Sequence, residues 1–571
     1  MRPEPISMCV RVLVLAALLM CANRDALSQN AAQVAAQVQA ATQRPADFDH
    51  PPATVVRKLP TFDNPVEVVG RTPTTTESGG PAFHVDRIVL VGVTRLSPAE
   101  QAGLTRPFER RTVRFGELST LRKQIEQRYR QHGYFLAQAA VPPQEITGGS
   151  IRVEVSEGRY GSVTVDGNEH YSTAFIRRYF APAQSGGLIR ERPLLTGLLE
   201  LNQLPDLTVQ SVFAPGEKPG TSDVILRVHD DHPLHAVVDY NNQGSRLVGR
   251  NRVALSLIGG RALVEGDDLT LRVSDPFPGA SDPFYQASYA RPVGHAYDRI
   301  GVQYASAQTR VRGSGLDPLD IRGTADIAGL SWQRPLTVRQ DEQTALAIGF
   351  TGKNLRNFVL NTTPTSQDKI RMLTATYSIN RRREKQQLAT SAVLSQGLGT
   401  ALGGSSNEQD IPSRVGAGNA FTKLNVDATM IRELDSKDFL VLHGSGQIGT
   451  RPLVVAEQFA IGGLDSVRGF TQSEALGDDG YALSAELRRD LFKQRSRTVQ
   501  GAAFVENGEV FRQRPQRGEE RSSALTGIGL GLRAFFGSEA TVRLDLGLPL
   551  SPSRNVDGES ATLYAQASYR Y

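Results

Sequence analysis

ATVRLDLGLPL (residues 540–550) and ATLYAQASYRY (residues 561–571) are the stretches on which the fold turns. In the first, Val542, Leu544, Leu546 and Leu548 fall on one side of an extended chain, and Thr541, Arg543 and Asp545 on the other. This follows because successive side chains of a strand point to opposite faces. In the second, Leu563, Ala565, Ala567, Tyr569 and Tyr571 share one face, and Tyr564, Gln566, Ser568 and Arg570 take the opposite one. LTLRVSD (269–275), KLNVDATM (423–430) and YALSAELRR (481–489) repeat the pattern. A soluble two-sheet protein also alternates. Here the polar face carries Arg, Asp, Glu and Gln in strand after strand, which suits a wet lumen. The region 232–571 holds about 340 residues, and at about 21 per strand with turns and outer loops it gives roughly sixteen membrane strands. An aromatic C-terminus in strand pattern lets the two ends of the barrel pair and leave no open edge.

Averages hide this character. Hydrophobic residues are 39 %, charged residues 22 % and the net charge is +5 among 571 residues. Mean hydropathy is −0.29. No basic stripe with interleaved aromatics argues for nucleic acid. After residue 28 no apolar run reaches 18 residues, so helical spans are excluded and any spanning falls to strands.

Upstream, Arg2 and Arg11 flank the start of an apolar stretch, Val12 to Met20, and Ala26-Leu27-Ser28 offers a cleavage site. Residues 1–28 therefore read as a secretory signal peptide. Both cysteines, Cys9 and Cys21, lie within it, so cleavage removes thiol catalysis, disulfides and zinc–thiolate sites together. Residues 29–43, QNAAQVAAQVQAATQ, suit a short helix, and the Pro-, Thr- and Gly-rich residues 44–82 read as a linker.

Two segments with one plan follow. In residues 83–158, HVDRIVLVGV (84–93) reads as a strand, Ser97 caps a helix with Pro98 at its first position, and GELSTLRKQIEQRYRQHG (116–133) forms a second helix. Its Leu118, Leu121, Ile125 and Tyr129 recur at three and four, and Gly133 closes it. Strands follow in YFLAQAAV (134–141) and SIRVEVSE (150–157). Residues 159–231 repeat the order: GSVTVDGN, a helix capped by Ser172, the helix RPLLTGLLELNQL, then LTVQSVF and SDVILRVH. Gly92 and Gly167 end the first strand of each segment, the mark of an internal duplication.

At this point the layout resembles the two-partner secretion transporters, the TpsB group of FhaC/ShlB-type haemolysin secretion/activation proteins within the BamA-like superfamily. QHGYFLAQAAVPPQEITGGSIRVEVSEGRYGSV (131–163) is similar to the end of the family's first POTRA domain and its join to the second. DYNNQGSRLVGRNRVALSL (239–257) with EGDDLTLRVS (265–274) is similar to its opening barrel strands. FAIGGLDSVRGF (459–470) resembles the superfamily's sixth-loop signature, with Val467, Arg468, Gly469 and Phe470 as its core. FVENGEV (504–510) resembles the wall motif that faces it, through Phe504, Glu506 and Gly508.

The resemblance implies a transmembrane β-barrel of sixteen antiparallel strands (232–571), two small α+β POTRA domains (83–158 and 159–231) and an N-terminal plug helix (29–43). It implies an outer-membrane protein, its POTRA domains in the periplasm, that exports a large haemolysin- or adhesin-type exoprotein without ATP. The barrel is expected to contact lipid and lipopolysaccharide, as a monomer or weak dimer. An exposed strand edge of the second POTRA domain is expected to capture the unfolded partner by strand addition, around Leu188, Leu207, Val209 and Phe213. The loop pair can also be reasoned from the residues. If Val505 faces lipid, Glu506 faces the lumen, and a loop between Ile461 and Tyr481 is long enough to fold inward and bring Arg468 to it. Gly469 and Gly508 would let backbone approach closely. The family pattern has Asp where Glu506 stands, and one extra methylene still reaches.

There is no Walker A loop, GxSxG or HExxH motif, and GIGLGLRAFFG (527–537) reads as a barrel strand. No enzyme activity, cofactor, metal or nucleic-acid partner is expected. The alternative is an outer-membrane assembly factor of the BamA or TamA type, distinguished by carrying more than two POTRA domains.

Overall fold

A computed structural model describes residues 66–68 and 82–571, apart from 147, 181–185, 245–246, 278–282, 295–297, 312–316, 361–362, 517–518 and 553–559. The expected signal peptide, the plug helix and most of the linker lie outside the described residues. Two compact units divide after Pro233.

The first unit holds β1 (Val66–Val68), β2 (Ala82–Val85), β3 (Arg87–Val91), α1 (Pro98–Thr105), β4 (Arg111–Arg114), α2 (Phe115–Gln131), β5 (Gln138–Ala140) and β6 (Ser150–Ser156). It continues with β7 (Arg159–Asp166), α3 (Thr173–Arg178), α4 (Glu191–Leu201), β8 (Leu207–Pro215) and β9 (Thr221–Asp230). Ser97 and Glu100 form a capping box at α1, the Glu100 amide donating to Ser97 Oγ at 3.3 Å and the Ser97 amide to Glu100 Oε2 at 3.0 Å. Ser172 caps α3 by accepting from the Phe175 amide at 3.1 Å. The α2 stripe Leu118, Leu121, Ile125 and Tyr129 is buried against Ile151 and Val153 of β6, and Gly133 turns the chain at φ +83°.

The duplication reaches side-chain detail. In the first half β3 runs parallel to β6, which pairs with β5; in the second β7 runs parallel to β9, which pairs with β8. Gly92 and Gly167 both sit at φ +86°, and a Cβ there would lie 2.4 Å from the Val155 carbonyl and 2.5 Å from that of Val228. Each last strand delivers a carboxylate to the loop after the first strand. Glu157 accepts from the amides of Thr94 (2.6 Å) and Arg95 (3.0 Å) and from the Tyr129 hydroxyl (2.7 Å). Asp230 accepts from the amides of Glu169 (2.9 Å), His170 (2.7 Å) and Tyr171 (2.7 Å). Burial opposes ionisation of both, yet these donors hold both carboxyls below their ordinary range.

Two local expectations need correction. HVDRIVLVGV is not one strand: it breaks at Asp86, where the amides of Asp86 and Arg87 both donate to Gly149 O. β2 then pairs with β4, a strand the pattern had not signalled. Of YFLAQAAV only Gln138–Ala140 is extended, because the Tyr134 amide turns back to Tyr129 O and the Ala137 amide to Tyr134 O.

The second unit is the barrel. Its strands are β10 (Leu234–Asn241), β11 (Asn251–Gly260), β12 (Asp268–Phe277), β13 (Phe284–Val293), β14 (Asp298–Arg310), β15 (Arg322–Val338), β16 (Glu342–Val359) and β17 (Thr363–Arg383). They continue as β18 (Gln386–Gly397), β19 (Thr422–Glu433) and β20 (Asp438–Gly449). Two short strands, β21 (Phe459–Ile461) and β22 (Ala475–Gly477), pair with each other inside the next loop. β23 (Asp479–Gln494), β24 (Arg497–Phe511), β25 (Ser522–Phe536), β26 (Ala540–Pro549) and β27 (Thr562–Arg570) complete the ring. Sixteen strands close, β10 pairing antiparallel with β27 from Val237↔Arg570 to Asn241↔Gln566. Exposure assigns the faces: Leu544 and Leu546 are 39 % and 45 % exposed, whereas Asp545 between them is fully buried. The leucines therefore form the outer band and the charges line the interior, as a bilayer on one side and water on the other require.

Candidate functional site

The loop between β20 and β23 turns back into the barrel and brings Arg468 to rest among carboxylates of three strands. Arg468 is 2 % exposed. Its Nε and Nη2 donate to Glu506 Oε1 of β24 at 2.9 and 2.6 Å, and its own amide donates to Oε2 at 2.6 Å. Nη2 also lies 2.9 Å from Glu486 Oε2 of β23, and Nη1 donates to Asp545 Oδ2 of β26 at 3.1 Å. The guanidinium carbon stands 3.3 Å from the centroid of the Phe504 ring. Sequence-derived Arg468 and Glu506 are thus in direct contact, and the longer Glu506 side chain reaches three donors of one residue.

Around this pair lies a wider network. Arg533 of β25 donates to Glu486 Oε2 at 3.0 Å and also pairs with Asp545. Arg543 donates to Asp545 Oδ2 at 2.8 Å, and Arg488 pairs with Glu486. Four guanidiniums thus face three carboxylates, so every buried acid has at least one cation. The loop backbone is held as well. The Gly469 amide donates to Tyr564 Oη at 3.0 Å, that hydroxyl donates to Phe470 O, and Thr562 Oγ1 donates to Gly469 O at 3.2 Å. Val467 and Phe470 are buried in an apolar cluster with Ile461, Val510 and Leu525.

Glycines set how close the loop comes. Gly469 takes φ +105°. A Cβ on Gly508 would stand 3.2 Å from Val467 Cγ2. The closer approaches are at positions sequence reasoning did not single out: a Cβ on Gly527 would lie 2.0 Å from Arg468 O, and one on Gly547 2.4 Å from Gly469 N. Glu486, Asp545, Arg533 and Tyr564 were also missed as members of the site. Strand alternation placed Asp545 and Tyr564 on the polar face, and that was the available signal.

The expected substrate edge on β8 is placed differently. Leu207, Val209 and Phe213 are buried, and Phe213 meets Phe135 edge-on at 5.6 Å between ring centroids. Leu188 forms a bridge with Arg159 and packs on the first half's core. The side chains of Leu207, Val209 and Phe213 are therefore interior, and Leu188 is half-buried. Nor is the edge fully exposed: β1 pairs with it in parallel, Val66↔Ser211, Glu67↔Val212 and Val68↔Phe213. The pattern missed this because a three-residue strand inside a Pro-rich linker has no periodicity to read.

A closed sixteen-stranded antiparallel barrel with apolar residues outside and charges within is the architecture of an outer-membrane β-barrel protein. The haemolysin secretion/activation protein ShlB/FhaC/HecB model matches residues 220–534, and the ShlB-type POTRA model matches residues 83–158. The chain belongs to the ShlB/FhaC/HecB family: it is an outer-membrane transporter that secretes a partner exoprotein, with its POTRA region in the periplasm. It is 25 % identical over 497 residues to the outer membrane transporter CdiB of Escherichia coli O6:K15:H31, covering 85 % of this chain and 82 % of that one. It is 21 % identical over 466 residues to the heme/hemopexin transporter protein HuxB of Haemophilus influenzae, covering 80 % and 81 %. The solved structure of CdiB from Escherichia coli superposes with a TM-score of 0.72 at 21 % identity over all of both chains.

Proposed function

We propose that this transporter captures its exoprotein by strand exchange at β8 and exports it, without catalysis or ATP, through a pore closed at rest by the Arg468 loop. The observation that carries the capture step is the parallel pairing of Val66–Val68 with Ser211–Phe213. It supports an edge that binds extended chain through main-chain hydrogen bonds and asks little of sequence, since Val209 and Phe213 are turned into the core. A partner strand entering there displaces β1. Folding of the exported chain outside the cell supplies the drive. Residues 29–43 act as a further plug, the outward leucine band contacts lipid and lipopolysaccharide, and the working unit is a monomer or weak dimer. Two POTRA domains, 83–158 and 159–231, suit export and not the larger arrays of assembly factors.

The test is to hold β1 in place. In a chain carrying E67C and V212C, which face each other across the ladder, a short bis-maleimide cross-linker should stop secretion. Uncross-linked protein should secrete normally. Unimpaired export by the cross-linked chain refutes strand exchange at this edge.

A further inference from the structure

The inward loop has a second anchor, made by a different set of strands. Val455–Glu457 forms a single 3-10 turn that buries Glu457 to 2 % exposure. Glu457 Oε1 lies 2.7 Å from Lys353 Nζ of β16, and Oε2 lies 2.8 Å from Lys423 Nζ of β19. Lys423 Nζ and Gln447 Nε2 also donate to the Glu457 carbonyl, at 3.1 and 3.0 Å. The adjoining Leu453 and Ala456 are buried in one cluster with Leu355, Met372, Ala417 and Phe421. The polar contacts of Glu457 come from β16, β19 and β20, whereas Arg468 is held from β23, β24 and β26. The loop is therefore a strap fixed at two separate places, by Glu457 at its proximal arm and by Arg468 at its tip.

The two ends are built differently. Arg468 is a planar fork matched to three carboxylates, and its neighbours Gly469 and Phe470 are tied by main-chain bonds to β27. The proximal arm also has main-chain ties, the Leu453 amide donating to Asp478 Oδ1 at 2.7 Å and the Val455 amide to Ser413 Oγ at 3.1 Å. The Glu457 carboxylate itself, however, is held by two amines on flexible four-carbon stems, whose side chains keep 19 % and 11 % exposure. Point-charge amines exchange a carboxylate for water more readily than a bidentate guanidinium does. We propose that Glu457 is the releasable end of the strap. It is a positioning residue whose separation from Lys353 and Lys423 swings the proximal arm off the wall and opens the lumen to a passing polypeptide, while Arg468 stays seated. This rests on the reading of the Arg468 loop as the closed-pore element.

Two reporters separate the ends. Single cysteines, L453C on the proximal arm and F470C at the tip, are placed in a chain lacking Cys9 and Cys21. Both positions are buried. Each is labelled from outside whole cells with a maleimide–polyethylene glycol, and heat-modifiable migration on gels certifies the folded barrel. E457Q should speed labelling of L453C about tenfold or more and leave F470C unchanged. K353M combined with K423M should do the same, and it carries the test if E457Q does not fold. Unchanged L453C labelling in folded barrels overturns the proposal, as does a joint rise at both reporters, which would make the loop one unit. Free labelling of F470C in the parent chain overturns the underlying latch reading instead.

Discussion

Truncating Arg468 to alanine should free the loop tip without opening the barrel wall. The substitution deletes two hydrogen bonds to Glu506, one to Asp545 and the ion pair with Glu486. Glu486 and Asp545 keep Arg533, Arg488 and Arg543 as partners. Glu506 keeps only neutral donors, the Ser484 hydroxyl and the residue-468 amide. One buried carboxylate is thus left without a cation, which costs about 3–5 kcal/mol. The cost falls on the closed state alone, because Glu506 rehydrates once the tip leaves. At about 1.4 kcal/mol per decade, the closed-to-open ratio should fall about a thousandfold. Hydrogen exchange on detergent-solubilised protein reads this directly. Amides of residues 463–473 should exchange faster by that factor, those of β23–β26 should keep their protection, and secretion should drop. Unchanged protection at the tip would refute the reasoning. So would loss of protection throughout the barrel, which would make Arg468 a residue of general stability.

Two other outcomes are expected. G527A changes no charge, but its Cβ would stand 2.0 Å from Arg468 O, a backbone atom that cannot step aside; secretion should fall towards the R468A level with the barrel still heat-modifiable, and wild-type secretion would contradict the close seating. Glu157 and Asp230 have carboxyls lowered below their unfolded values by donated hydrogen bonds that outweigh burial, so their stabilisation is complete above the unfolded values near 4.5 and 3.8 and fades as pH drops through the lower folded ones. Limited proteolysis of the first unit should therefore accelerate in acid. E157Q should be cleaved faster at neutral pH, by about 2 kcal/mol of weakened hydrogen bonding, and show a shallower acid response.

What the sequence reveals depends on whether a feature has a period. Leu544 and Leu546 outside with Asp545 inside follow from a two-residue repeat, and the strand number follows from the length of the region at about 21 residues per strand. The α2 stripe Leu118–Leu121–Ile125–Tyr129 follows from the helical repeat. The Arg468–Glu506 contact was legible because a loop arginine and a lumen carboxylate sit in recognisable local strings. Glu486, Arg533 and Asp545 were not singled out as its partners, since each is one polar residue among many on an alternating strand. Only the inward fold of the loop brings Glu486 of β23 and Asp545 of β26 to the same guanidinium, with Arg533 of β25 pairing both acids. Gly527 and Gly547 escaped for a related reason: their lack of a side chain matters only once a distant loop lies against them. The β1 strand has no pattern of its own and exists through its pairing with β8.

The most direct measurement is secretion itself. A candidate exoprotein partner would be expressed with this chain in a host lacking other such transporters, and the medium, periplasm and outer membrane assayed. The exoprotein should reach the medium only when the folded barrel is present, with other outer-membrane barrels assembling at normal levels. An exoprotein retained in the periplasm despite a folded barrel, or a general loss of barrel assembly when the chain is removed from its native host, would contradict a dedicated export channel.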